Sequence, residues 1–201
     1  MTNRERLFDI SYRHKLSHLG SCLTALPIIE NIFSVKKPDE KFVLSSGHAG
    51  LALYCVLESL GLGDAEEMLE KQGIHPDRLK SDGQIDCSTG SLGQGLPIAV
   101  GMAIADRSKN VYCLISDGEA AEGSVWESLR IAKQLRLENL KVYCNANGWS
   151  AYDRVDVDDL EKKFRAFGFP VEVVRTNSDI GTWAVGLASH YKVADNELKI
   201  L

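Results

Sequence analysis

The chain has 201 residues, 44% of them hydrophobic, 25% charged and 7% aromatic, which fits one globular domain and excludes a disordered or collagenous chain. Lys plus Arg number 23 against 28 for Asp plus Glu, a net charge of −5 without a basic block, which argues against a nucleic-acid partner. The cysteines, Cys22, Cys55, Cys87, Cys113 and Cys144, are odd in number and form no C-x-x-C pair, so neither a disulfide framework nor a zinc site is expected, and a reducing cytoplasm fits best. The first residues carry charge with no apolar stretch behind them, and no run approaches the ~20 apolar residues of a spanning helix, so neither an export signal nor a membrane segment is expected. No repeat or Pro/Ser-rich linker divides residues 1–201, which read as a single domain.

Arg4 to Lys15 predicts a helix, and the Ser17-His18-Leu19-Gly20-Ser21 turn leads into a second helix through Ile28 to Phe33. Phe42-Val43-Leu44 is a short buried strand, and the turn from Ser45 to Gly50 opens an apolar helix, Leu51 to Leu60. An acidic helix around Asp64 to Lys71 follows, then a loop holding His75-Pro76-Asp77. Thr89-Gly90-Ser91-Leu92-Gly93-Gln94-Gly95 enters a helix from Leu96 to Ala105 that is apolar on most faces, which predicts a central, covered position. Val111 to Ile115 is a strand, Asp117 to Gly123 a turn, Val125 to Leu135 a helix and Leu140 to Cys144 another strand. Strand, helix and strand at this spacing make a βαβ crossover, so the fold expected is α/β, a parallel sheet with helices on both faces.

In such a sheet, ligands sit at the carboxyl ends of the strands, where helix starts present backbone N–H groups. Two loops lie at such ends: Ser116-Asp117-Gly118-Glu119, and Asn145-Ala146-Asn147-Gly148. The Asp117 carboxylate and the Asn147 carboxamide oxygen can converge on one hard cation, since magnesium needs few protein oxygens when phosphate and water fill the rest of its shell. Gly118 lets backbone approach a diphosphate that Asp117 alone would repel. Taken singly, Asp117 reads as a helix cap and Asn147-Gly148 as a plain turn.

Together, Asp117-Gly118, Glu122-Gly123, Trp126-Glu127, Glu138-Asn139-Leu140 and Asn147 resemble the thiamine diphosphate motif, and the inner Glu-Gly and Trp-Glu resemble its transketolase branch. Ser17-His18-Leu19-Gly20-Ser21 resembles the family's Gly-His-Pro-Gly-Ser, Phe42 to His48 its strand-to-histidine loop, His75-Pro76 its His-Pro-Glu, and Thr89 to Gly95 its glycine-rich cofactor loop. The likeness is good over about residues 10 to 150 and weak after about 170, where Val171 to Arg175 reads as a strand and the following elements as shortened. Ser189-His190-Tyr191-Lys192-Val193 resembles a histidine segment near the end of the family's first domain, and Asn145 stands where the family usually has Asp.

The resemblance implies a thiamine diphosphate-binding fold with Asp117, Asn147 and the Trp149 carbonyl holding Mg2+, or Ca2+ or Mn2+ in its place. Gly90, Ser91, Leu92, Gly93, Asp117, Gly118, Glu119 and Asn147 are the implied cofactor-binding residues, and His18, His48, His75 and His190 the implied catalytic ones. Glu122 and Glu127 would face another subunit. Only the diphosphate-side domain of a transketolase is matched, so the implied protein is the N-terminal subunit of a split transketolase, a cytoplasmic transferase acting on sugars or sugar phosphates. Its partner would be a separately encoded C-terminal subunit with the pyrimidine-binding and C-terminal domains, and the two would form a heterotetramer. A chain resembling deoxyxylulose phosphate synthase or the alpha chain of a 2-oxoacid dehydrogenase is the alternative within enzymes, and a non-catalytic cofactor-binding scaffold the alternative outside them.

Overall fold

The computed structural model describes residues 1–150 and 153–176. Helix α1 (Asn3–Arg13) opens on a reciprocal cap in which the Thr2 hydroxyl accepts from Glu5 N–H and the Glu5 carboxylate accepts from Thr2 N–H. Helix α2 (Leu19–Val35) starts inside the segment Ser17–Ser21 that its Gly and Ser mark as a turn. The reason is His18, whose φ of 69° turns the chain within one residue, so that Gly20 and Ser21 already belong to the helix.

Four strands follow: β1 (Lys41–Leu44), β2 (Val111–Ser116), β3 (Leu140–Ala146) and β4 (Val171–Arg175). They pair in the order β1-β2-β3-β4, all parallel. Parallel neighbours need a crossover. Helices α3 (Gly50–Ser59), α4 (Ala65–Gln72) and α5 (Gly95–Ala105) lie between β1 and β2, α6 (Gly123–Gln134) between β2 and β3, and α7 (Val157–Phe167) between β3 and β4.

Side chains alternate across the strands, and both faces are covered. Phe42, Leu44, Tyr112 and Leu114 join a core with α1 to α4, whereas Val43, Cys113, Ile115, Val142 and Cys144 join a second core with α5 to α7. Two sets of apolar residues one position apart therefore hold opposite layers, which is why these strands read as continuous apolar runs. All five cysteines are buried and unpaired, and burial pushes their thiols up, Cys22 to about 12.

One expectation is corrected. Helix α5 is covered on one side only: Leu96, Ala99, Val100 and Ala103 are buried, but Ile98 and Ile104 are 41% and 44% exposed. An apolar residue on every face says that water is disfavoured there, yet it takes a packed neighbour to remove it, and among the described residues the sheet and α6 cover only the face that carries Leu96, Ala99, Val100 and Ala103. No helix among them is long and apolar enough to cross a membrane.

Candidate active site

The register of β2 against β3 pairs Ser116 with Asn145, so the two strands end side by side and release their loops at the same edge. Asn145 and Ala146 extend β3 beyond the expected end at Cys144, because Asp117 N–H continues the ladder to the Asn145 carbonyl at 3.0 Å. Asp117 is 2% exposed. One of its carboxylate oxygens accepts from Gly118 N–H at 3.0 Å and the other from Gly148 N–H at 2.6 Å, which joins the two loops. The Asn147 Oδ1 accepts from Trp149 N–H at 2.9 Å. A Cβ on Gly118 would lie 3.1 Å from Ser150 Cα and 3.6 Å from the Trp149 carbonyl oxygen, so Asp117, Asn147 and that carbonyl belong to one small region.

Burial pushes the Asp117 carboxyl up to about 6 from its ordinary 3.8, while the backbone amides of Gly148 and Gly118 pull the other way. Removing water from a carboxylate without a charged partner disfavours ionisation, and a cation is the group that would reverse this. Among the described residues no three His, Cys, Asp or Glu side chains gather at one point, so a cation here would rely on carboxamide and carbonyl oxygens beside Asp117.

These loops form one wall of a cleft of about 180 Å3. His18, His48 and His75 form another, from three separate elements. The rings of His18 and His48 stand 5.2 Å apart, and the Ser17 hydroxyl is 2.9 Å from His18 Nδ1. His75 packs against Gly90, where a Cβ would come within 3.2 Å of its ring. Gly90 and Leu92 line the cleft with Gly118, Asn147 and Trp149, whereas Ser91 is exposed outside it. His190 lies outside the described residues.

Glu119 faces inward. It is fully buried: Oε1 accepts from the Ser45 hydroxyl at 2.6 Å and from Gly93 N–H at 2.9 Å, and Oε2 accepts from Ser116 N–H at 2.9 Å. Burial raises its carboxyl above 4.5, opposed by these same donors. The glycine-rich loop is tied down further by the Thr89 hydroxyl on the Leu44 carbonyl, 2.6 Å, and the Ser124 hydroxyl on the Gly93 carbonyl, 2.8 Å. Glu122 is exposed beside Gly93, and Glu127 is exposed and paired with Arg130.

Sequence reasoning gave no site role to Ser46, Ser21, Asn145 or Thr24. Ser46 lines the cleft, and its buried hydroxyl has no hydrogen-bond partner among the described residues. Its only sequence signal is a place next to Gly47-His48. A larger cavity, about 340 Å3, lies at the starting end of β3 between Leu140, Phe169 and Pro170. It is remote from the loops that follow the strand ends, and none of the residues that line it belongs to them.

A family model described as transketolase, thiamine diphosphate binding domain, matches residues 8–196. The chain belongs to this family. It is 34% identical over 184 residues to the transketolase of Homo sapiens, covering 80% of this chain and 30% of that protein. It is 31% identical over 201 residues to a Phocaeicola vulgatus protein named as one of the subunits of an apulose-4-phosphate transketolase, covering 88% of this chain and 70% of that protein. The transketolase of Campylobacter jejuni superposes with a TM-score of 0.67 at 25% identity, over 83% of this chain and 31% of that one. A transketolase from Pichia stipitis shares the fold, with a TM-score of 0.72 at 24% identity over 91% of this chain and 33% of that one. The chain thus spans about 30% of the length of the human transketolase it matches.

Proposed function

We propose that this chain is the diphosphate-side subunit of a two-chain, magnesium-dependent transketolase that moves a two-carbon ketol unit from a ketose to an aldose. The observation that carries the reading is the meeting of the Asp117 and Asn147 loops, joined by the 2.6 Å bond from Gly148 N–H to the Asp117 carboxylate. The site fits a divalent cation and a diphosphate on its own chemistry. One carboxylate, one carboxamide oxygen and one carbonyl are hard donors, Gly118 leaves room where a Cβ would press on Ser150, and Ser46 Oγ is a buried polar atom lacking a partner among the described residues. Bound thiamine diphosphate would supply the nucleophilic carbon and the electron sink for ketol transfer.

The chain's own residues bind and orient. Asp117, Asn147 and the Trp149 carbonyl hold the cation, while Gly90, Leu92 and Gly118 shape the diphosphate cradle. Glu119 serves as a strut that fixes Gly93 against the strand ends. His18, His48 and His75 bond to sugar hydroxyls and move protons at those oxygens. The carboxylate that the family resemblance implies at the aminopyrimidine end of the cofactor is a task for a partner chain with the pyrimidine-binding and C-terminal domains. Two relatives, from Phocaeicola vulgatus and Actinobacillus succinogenes, bear names that make each of them one subunit of a transketolase, which supports a divided enzyme. The uncovered apolar face of α5 and the exposed Glu122 and Glu127 suit contact with other subunits in a heterotetramer, working in the cytoplasm on sugars or sugar phosphates.

The test mixes this chain with such a partner, thiamine diphosphate, Mg2+ and a ketose and aldose pair. Ketol transfer is expected only from the mixture, and Asp117→Ala is expected to abolish Mg2+-dependent cofactor binding by calorimetry. Full activity from this chain alone would refute the divided site, and unchanged binding by the Ala variant would remove the ligand.

A further inference from the structure

Helix α2 enters the site through a side chain that the motif does not include. Thr24 is 6% exposed. Its Oγ1 lies 2.9 Å from the Gly20 carbonyl oxygen and 3.2 Å from that of Ser21, both in its own helix. The same oxygen lies 2.8 Å from Asn145 Nδ2 and 3.2 Å from Asn147 Nδ2. A hydroxyl has one proton to give. Here it goes to the helix carbonyls, so only lone pairs face the strand end, and both carboxamides must present NH2 to Thr24 and turn their oxygens away.

The consequence differs between the two amides. Asn145 Oδ1 accepts from the Thr176 hydroxyl at 2.9 Å, and since a hydroxyl can donate or accept, Thr176 does not select that orientation. Thr24 selects it. Asn147 Oδ1 is directed to Trp149 N–H at 2.9 Å, on the side where the Asp117 carboxylate meets Gly148. A carboxamide oxygen has two lone pairs, so one stays available after Trp149 is served.

We propose that Thr24 is a positioning residue that presents the Asn147 oxygen, rather than its nitrogen, to a divalent cation at Asp117, with Asn145 as the second amide locked by the same hydroxyl. This rests on the cation reading given above.

The test titrates the full-length chain with Mn2+ in the presence of thiamine diphosphate, reading free Mn2+ by electron paramagnetic resonance and folding by circular dichroism. Thr24→Val is expected to weaken Mn2+ binding roughly ten- to hundredfold, the usual range when a group orienting a metal ligand is lost. Thr24→Ser keeps the hydroxyl and should restore binding. In an Asn147→Asp background both side-chain ends are oxygen, so Thr24→Val should have no further effect; a merely structural role for Thr24 would give the same loss in both backgrounds. Should Thr24→Val fail to fold, Thr24→Ala removes the same hydroxyl with less bulk and should weaken Mn2+ binding in a folded chain. Equal binding by wild type and a folded Thr24→Val or Thr24→Ala chain, or equal losses in both backgrounds, would overturn the positioning role alone. No saturable Mn2+ binding by the wild type would overturn it together with the cation site.

Discussion

Glu119→Gln changes one atom and should still be costly. Each oxygen of the carboxylate accepts from a backbone N–H, Gly93 at Oε1 and Ser116 at Oε2, and Oε1 also accepts from the Ser45 hydroxyl. A Gln side chain has one oxygen, so whichever way the amide turns, its NH2 faces one of those N–H groups. A buried donor left without an acceptor costs about 1–3 kcal/mol, and the surviving bonds lose their charge assistance. Removing a desolvated carboxylate offsets part of this, since burial raises the Glu119 carboxyl above 4.5. The net expectation is a loss of about 2 kcal/mol, read as a fall of about 4–8 °C in Tm for a chain of this size. Thermal and urea unfolding followed by circular dichroism measure it. A Gln variant within about 0.5 kcal/mol of the wild type, the ordinary spread of a surface change, would refute the claim that Glu119 is a strut with both ends occupied.

Two further outcomes follow from the same geometry. Asp117 is raised by burial to about 6 from 3.8, so the folded chain without cation holds that proton more firmly than the unfolded chain does. The stabilisation is full below pH 3.8 and is lost as pH rises through about 6, about 3 kcal/mol across the window. Stability measured in chelator should therefore fall over this range relative to Asp117→Asn, and parallel profiles would contradict the burial argument. Gly93→Ala should destabilise the glycine-rich loop, because φ is +74° and a Cβ would lie 2.6 Å from Glu122 Cβ and Ser124 Oγ. Hydrogen exchange at residues 89–95 measures it, and unchanged protection there would count against the close packing.

The parallel sheet was legible in the sequence because a strand buried on both faces has no polar alternation to hide it, as Val111 to Ile115 shows. The site's outline was legible for a related reason. A βαβ crossover returns the chain to the neighbouring strand, so Asp117 and Asn147, one after each strand, had to emerge at one edge. The motif likewise brought His18, His48 and His75 to notice, and the structure lines one cleft with all three. The start of α2 was misplaced because a Ser- and Gly-bearing segment carries no sign that His18 adopts a left-handed backbone.

What the sequence determined by itself was set by local period: the apolar runs, the helical spacing, and the residue types at strand ends. Tertiary structure alone decided which face of α5 is covered, that Glu119 points inward to Ser45 and Gly93, and that Thr24 reaches Asn145, 121 positions further along the chain. Contacts between distant segments follow from how layers stack and where a single proton is directed, and neither leaves a periodic trace along the chain.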